Sequence, residues 1–363
     1  MYIENLSLNN YRNYENFSTG FTPGINLIIG KNAVGKTNLL EAIYFLENGR
    51  SHRTRNHQEL IKWHEEFLHV KASVKRADRD LVVDAMVEKS GGRRLKVNGV
   101  LQKGFSGRAR PVQTVMFTPD HLKIVKEMPE YRRAYLDEIL EKIKADYTYW
   151  RQHYGKVLRQ RNLLLKKVGA GRMKPDMIDC WDVQLVEAGV KIIKYRNEAV
   201  ATIAEHATEI YSQISDSAER FSLKYENQLV GEDGSVEGLQ ERFEEGLRAK
   251  RRAEIERGQS LLGPHRDDIG MFLGGIDMRI YGSQGEQRSV ALALKITEHG
   301  IITEKIKEYP VLLLDDVMSE LDIKRREALL KYIKNGTQVL ITSTNVEYFK
   351  EQELYEYNVI SVK

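Results

Sequence analysis

Gly30-Lys31-Asn32-Ala33-Val34-Gly35-Lys36-Thr37 decides how the rest of the chain is read. The octet fits GxxxxGK[ST] at every fixed position, and its flanks fit as well. Before it, Ile25-Asn26-Leu27-Ile28-Ile29 follows a Pro23-Gly24 turn and predicts a short apolar strand. After it, Asn38 to Glu47 predicts a helix with Leu39, Leu40, Ala42, Ile43 and Leu46 on its buried side. In that context the loop amides and the helix N-terminus wrap a phosphate. Lys36 reaches the β- and γ-phosphates of a nucleoside triphosphate, and the Thr37 hydroxyl binds Mg²⁺. A chance glycine turn before a helix would not account for all eight positions.

Working outward, the hydrophobic period changes twice. Leu68, Val70, Ala72 and Val74 alternate with polar residues, as do Leu81, Val83, Ala85 and Val87, and Leu95 to Gln102 carries the hairpin dipeptide Asn98-Gly99. An antiparallel meander is predicted over about 67–104. From there the helix period dominates. Leu136, Ile139, Ile143, Tyr147, Trp150, Tyr154 and Leu158 form one continuous stripe, and Val186 to Ile214 forms another. A third helical pattern spans roughly Val236 to Arg257. After Gly263 strands return, and Val311-Leu312-Leu313-Leu314 and Gln338 to Thr342 are apolar without alternation, as central parallel strands are. The predicted class is α/β: a P-loop head made of 1–118 and 261–363, including the meander, with an all-α arm inserted at 119–260.

Two further segments carry chemistry. The strand ending in Asp315-Asp316 sets two carboxylates at the carboxyl edge of the sheet, where α/β proteins bind ligands. Asp315 is expected to hold Mg²⁺ opposite Thr37, and Asp316 to orient or deprotonate an attacking water. Ser283-Gln284-Gly285-Glu286-Gln287-Arg288 opens a helix and makes a second anion cradle. Alone, Ser-x-Gly before a helix is an ordinary cap. One nucleotide needs only one cradle, so a second serves a nucleotide held by another copy of the chain.

Lys36, Ser283 to Gln287, Asp315-Asp316 and Ser319-Glu320-Leu321-Asp322 resemble the Walker A, signature, Walker B and D-loop motifs of the ABC-type ATPases, in that order along the chain. Within that superfamily the chain is similar to the RecF family. The narrower matches are Asn10-Tyr11-Arg12-Asn13-Tyr14, Ser51-His52-Arg53-Thr54 and Gly263-Pro264-His265-Arg266-Asp267-Asp268, so the likeness runs from end to end. The related SMC proteins would need long coiled-coil arms where this chain has a compact helical block.

The resemblance implies an ATP-dependent DNA clamp for recombinational repair and replication restart. Two subunits would dimerise head to tail, with nucleotide between the Lys36 loop of one and Ser283, Gly285 and Gln287 of the other. Arg12 and Asn13 would contact its phosphates. The implied partners are duplex DNA or a duplex–single-strand junction, and RecR acting with RecO. Hydrolysis would be weak and DNA-stimulated. Asp316 stands where the wider superfamily has glutamate, Ser343-Thr344 where many members have a switch histidine, and Gln113 is the nearest candidate for the Q-loop glutamine.

Composition constrains the rest. The chain has 363 residues, enough for about two domains, and its net charge of +4 does not by itself imply a polyanion partner. Cys180 is the single cysteine, which excludes an internal disulfide and a thiolate metal site and fits a reducing, cytoplasmic setting; beside Trp181 it reads as a core residue. No apolar run approaches the roughly 20 residues of a membrane span. DNA-contact candidates lie in a segment without acidic residues, Arg151 to Lys174: Arg151, Arg159, Arg161, Lys166, Lys167 and Arg172. A second basic group is Arg93, Arg94, Lys96, Lys103, Arg108 and Arg110. Either could instead be a solvated face, and Glu237, Glu241, Glu244 and Glu245 argue against a uniform DNA surface on the arm. Two other classes compete, a nucleotide-binding subunit of a membrane transporter and a monomeric P-loop kinase. The helical insertion disfavours the first, and the second leaves Ser283 and the Ser319 to Asp322 turn without a task.

Overall fold

The computed structural model describes all residues except 55, 104–109, 216–218, 232–233, 334–335, 345–356 and 363. The chain begins with β1 (Tyr2–Tyr11), β2 (Tyr14–Gly20), β3 (Ile25–Ile29), α1 (Lys36–Asn48), β4 (Phe67–Lys75), β5 (Asp80–Glu88), β6 (Arg93–Val97), β7 (Val100–Leu101) and β8 (Thr114–Phe117). Its middle holds α2 (Lys123–Lys126), α3 (Pro129–Ile143), α4 (Tyr147–Gly169), α5 (Asp179–Ile214), β9 (Phe221–Glu226), α6 (Leu239–Arg257), β10 (Asp268–Leu273) and β11 (Ile276–Asp277). It closes with α7 (Gln284–Ile306), β12 (Val311–Asp315), α8 (Val317–Glu320), α9 (Ile323–Ile333), β13 (Val339–Ser343) and β14 (Tyr357–Ser361). Two compact units result, Met1–His121 with Leu292–Lys363, and Leu122–Ala291. Among the described residues no helix is long and apolar enough to cross a membrane.

The first unit, the head, contains two sheets. The parallel one has strand order β14-β3-β13-β12-β8, and β12 and β13 are buried along their whole length. The other is antiparallel, β2-β1-β4-β5-β6-β7, and β4 and β5 alternate buried and more exposed positions. Asn98 and Gly99 take φ 49° and 80°, the left-handed pair that a two-residue hairpin demands. Helix α1 is buried on nearly every side, sharing one core with Leu6 and Leu8 of β1, Val70 of β4, Val83 of β5 and Leu313 of β12. A helix so enclosed carries no broad polar face. Its buried Glu41 and Glu47 are met by Arg12 and Arg110. The Gln338 side chain ties the two sheets together, accepting from Ile3 N at 2.7 Å and donating to Ile3 O at 2.7 Å.

The second unit, the arm, is built on α4, α5 and α6. It departs from the sequence reading in three ways. The stripe from Leu136 to Leu158 is broken at 144–146, so α3 and α4 are separate helices. The unit is not wholly helical: Phe221-Ser222-Leu223-Lys224-Tyr225-Glu226 is strand β9, which pairs antiparallel with β10. That pairing, together with Arg132 of α3 holding Asp268, draws 261–291 into this unit, past the expected boundary at 260.

Two expectations about side chains are corrected. Cys180 is exposed, because α5 buries Leu185 and Val186 rather than its first turn. Arg161 is fully buried, donating to Asp182 and Glu254 at 2.6 Å each and to Ser260 at 2.7 Å. It staples α4 to α5 and α6 and is removed from the DNA-contact set.

Candidate nucleotide site

The carboxyl edge of the parallel sheet gathers the site within the head. Register places Ile29 beside Ser343, Thr342 beside Asp315, and Leu314 beside Phe117. The phosphate loop leaves β3 at Gly30, where a Cβ would lie 2.5 Å from Val362 O. Gly35 has φ 111° and would drive a Cβ to 2.7 Å from the Asn13 amide, so neither position admits a side chain. Lys36 is buried with its ammonium donating to Gly30 O and Lys31 O, both at 2.8 Å. The lysine therefore arches back over the loop it closes.

The loop is braced from β1 and β2. Asn13 donates to Val34 O at 2.8 Å and accepts from Asn38 at 2.8 Å, while Tyr14 donates to Gly35 O at 3.1 Å. Arg12 forms a fork on Glu41, at 2.9 and 2.7 Å, and donates to Glu59 O at 2.8 Å. Ser51 donates to the same Glu41 at 2.5 Å. Burial raises the Glu41 carboxyl, but the bonds from Arg12 and Ser51 outweigh it and leave it below its ordinary value. Arg12 is thus committed to positioning the 12–14 turn.

Opposite the loop, the Asp315 carboxylate Oδ1 accepts from Thr37 Oγ1 at 2.9 Å and from Thr342 Oγ1 at 2.8 Å. Thr342 also accepts from Asp316 N at 2.9 Å. Asp316 stands at φ 52°, a left-handed bend that turns its side chain away from the strand line. Burial and the neighbouring Asp315 charge push its carboxyl above the ordinary range, against the pull of Lys36. Thr37 and Asp315 together make a hard-oxygen pair, the donor chemistry that suits Mg²⁺.

Sequence reasoning missed Thr342 and the end of β8. Gln113 sits before the first residue of β8, at the amino edge, where its carbonyl accepts from Val311 N at 2.9 Å. It cannot serve as the Q-loop residue at the opposite edge. There Thr118 stands instead, its N–H donating to His121 Nδ1 at 2.8 Å. The parallel sense of β8, once granted, would have pointed to Thr118, Asp120 and His121.

The arm holds the segment expected to form the second cradle. Ser283 is exposed at the start of α7, and its N–H and hydroxyl donate to Glu286 at 2.7 and 2.8 Å, a capping box. Gln287 N donates to Ser283 O at 2.9 Å, and its side chain donates to Met278 O at 3.2 Å. His265, Asp267 and Asp268 form a structural hub. His265 meets Tyr154 at 2.6 Å and Ser260 O at 3.1 Å, and burial lowers it to about 4. Asp267 accepts from Tyr225, Asn227 and Arg196.

The cationic candidates divide. Arg159, Lys166, Lys167 and Arg172 are exposed along and just beyond the end of α4, whereas Arg151 is paired with Glu141 at 2.5 Å. On the meander, Arg94 pairs with Glu88, and Arg110 is buried against Glu47. Lys96 and Lys103 are exposed, and Arg108 lies outside the described residues.

A parallel sheet of this order, with the phosphate loop after β3 and paired aspartates after β12, defines an ABC-type P-loop ATPase head. Residues 2–361 match the family described as RecF/RecN/SMC N terminal domain. The DNA replication and repair protein RecF of Bacillus mycoides (strain KBAB4) is 40% identical over 364 residues, covering 100% of this chain and 97% of the relative. RecF of Bacillus anthracis (strain CDC 684 / NRRL 3495) matches to the same extent. Among solved structures, the recombination mediator protein RecF-ATPrS of the RecFOR pathway superposes with a TM-score of 0.92 at 34% identity, covering 100% of this chain and 96% of the other. An SMC head bound to the C-terminal winged helix of ScpA, at 18% identity and TM-score 0.54, shares the fold. The chain belongs to the RecF family.

Proposed function

We propose that this chain is an ATP-gated DNA clamp of recombinational repair and replication restart. The observation that carries the reading is the Thr37–Asp315–Thr342 junction, which joins the phosphate loop to the paired aspartates at one sheet edge. The relatives named for DNA replication and repair, and the RecF structures named for ATP and ATPrS, support it.

In this reading Lys36 exchanges its two loop carbonyls for the β- and γ-phosphates, and the loop amides take the rest of the charge. Thr37 and Asp315 would hold Mg²⁺, which neutralises phosphate charge when bound. Asp316, with its raised carboxyl, is poised to accept a proton from the attacking water. An aspartate is one methylene shorter than glutamate, which accords with weak hydrolysis. Asn13 lies close enough to the loop to touch the nucleotide, whereas Arg12 acts as its brace.

The exposed Ser283 helix faces the nucleotide of a second copy, with Gly285 permitting close approach and Gln287 fixing the helix start. Dimerisation would set the exposed Arg159, Lys166, Lys167 and Arg172 of two copies on duplex DNA or a duplex–single-strand junction, with RecR and RecO as the partners that follow. Light scattering tests the composite site. The mass should double in ATP-Mg²⁺ and not in ADP-Mg²⁺, while Ser283→Arg should bind nucleotide and remain monomeric. A Ser283→Arg protein that dimerises normally would defeat the assignment.

A further inference from the structure

Just before Ser283 the arm carries a short apolar knuckle that the nucleotide reading leaves without a task. Tyr281 is 73% exposed and Ile280 69%, two large adjacent side chains set out into solvent. Exposed apolar side chains are ordinary singly; here two adjoin on a braced support beside the Ser283 helix.

The support is Arg279. Its guanidinium donates to both Asp277 oxygens, to both Glu226 oxygens at 2.8 and 3.0 Å, and to Asp268 at 2.9 Å. Asp268 is itself gripped by Arg132 of α3 at 2.6 and 3.0 Å. Three strands therefore converge on Arg279, and α3 joins them through Asp268. Tyr281 N donates to Asp277 O at 2.9 Å, closing the turn. On the far side, Gln287 of α7 donates to Met278 O. Gly282 permits the joint, since a Cβ there would lie 2.7 Å from Met278 O. The backbone from Asp277 to Gln287 is thus braced at both ends.

The occupant follows from continuity and charge. The knuckle adjoins Ser283, whose helix N-terminus faces a second copy under the proposed function. From Ile276 to Gln287 the sequence holds Arg279 as its only cation, and three carboxylates consume it, so Ile280 and Tyr281 themselves sit beside no cation of that stretch left over for a nucleic acid phosphate. We propose that Ile280 and Tyr281, held out by the Arg279 lock, form the apolar contact made with a second copy of this chain when the Ser283 helix meets the partner's nucleotide. The inference rests on the composite-site reading. Tyr is favoured at such centres because it brings a large apolar face with few rotamers to fix.

The test compares the double variant Ile280→Ser/Tyr281→Ser with the wild type and Ser283→Arg, reading dimer dissociation by light scattering in ATP-Mg²⁺ and monomer affinity for a fluorescent ATP analogue. The double variant should dimerise at least tenfold more weakly while its analogue affinity stays within twofold. Arg279→Ala should weaken dimers similarly through a displaced Ser283 helix, and Arg279→Lys should recover part of the loss. If the double variant dimerises like the wild type while Ser283→Arg does not, the knuckle is not the contact and the composite site stands. A wild type that stays monomeric in ATP overturns both.

Discussion

Replacing Arg161 separates a structural arginine from the exposed cations that surround it in sequence and are proposed to meet DNA. Arg161 and Glu254 have no exposed side-chain surface, and Asp182 retains 14%. Arg161→Met keeps the volume of the stem but leaves the buried Glu254 carboxylate without its cation. Asp182 would retain Arg251 at 2.5 Å, and Glu254 the Leu261 amide at 2.7 Å. Breaking a buried pair this way costs about 3–5 kcal/mol, because the orphaned charge is not resolvated. With a slope of about 2 kcal/mol per M, the arm should unfold about 2 M earlier in urea. Trp150 and Trp181 lie in the arm, so their emission follows the transition. Adding Glu254→Leu should recover part of the loss, since apolar replacement of a whole buried pair is often neutral or better. DNA affinity of the folded variant should match the wild type. An unshifted urea midpoint combined with a several-fold loss of DNA binding would refute the burial of Arg161 and return it to the DNA surface.

Other outcomes follow from the same geometry. Lys36→Met should abolish the ATP-dependent mass increase in light scattering. Asp316→Asn should bind ATP and prolong the dimer lifetime in a chase with ADP. The combined Lys166→Glu/Lys167→Glu/Arg172→Glu variant should bind duplex more weakly and show a shallower salt slope, by about 0.9 for each phosphate the variant no longer neutralises. His265, lowered to about 4 by burial, is neutral in the fold, while the unfolded chain takes up its proton from about 6.5 downward. Arm stability should therefore hold above pH 6.5 and fall by about 3 kcal/mol as the pH drops toward 4, and His265→Gln should flatten that fall in urea titrations.

What the sequence made legible is what local chemistry dictates. The phosphate loop, the strand before it and the helix after it depend on residues within one short stretch, and the meander shows its period directly. The ends of β12 and β13 were readable because strands buried on both faces lose their alternation. Contacts made at long range were not. Arg161 has its partners 21 and 93 residues away, so a basic run without acidic residues looked like surface. Its burial left a trace, since Tyr154, Val157, Leu164, Leu165 and Val168 share its helix face. Strand β9 was overlooked although Phe221, Leu223 and Tyr225 alternate, because the flanking helix periods dominated the reading. Gln113 was misplaced because proximity to an apolar run does not reveal which end of a parallel strand faces the ligand.

Under the proposed function, ATP gates DNA binding through a dimer built on Lys36 of one copy and Ser283 of the other. Fluorescence anisotropy of a labelled short duplex, titrated with the protein in ATP-Mg²⁺ and again in ADP-Mg²⁺, tests it most directly. Tighter binding in ATP, rising steeply with protein concentration and lost in Ser283→Arg, is the expected result. Equal affinity in the two nucleotides would contradict it.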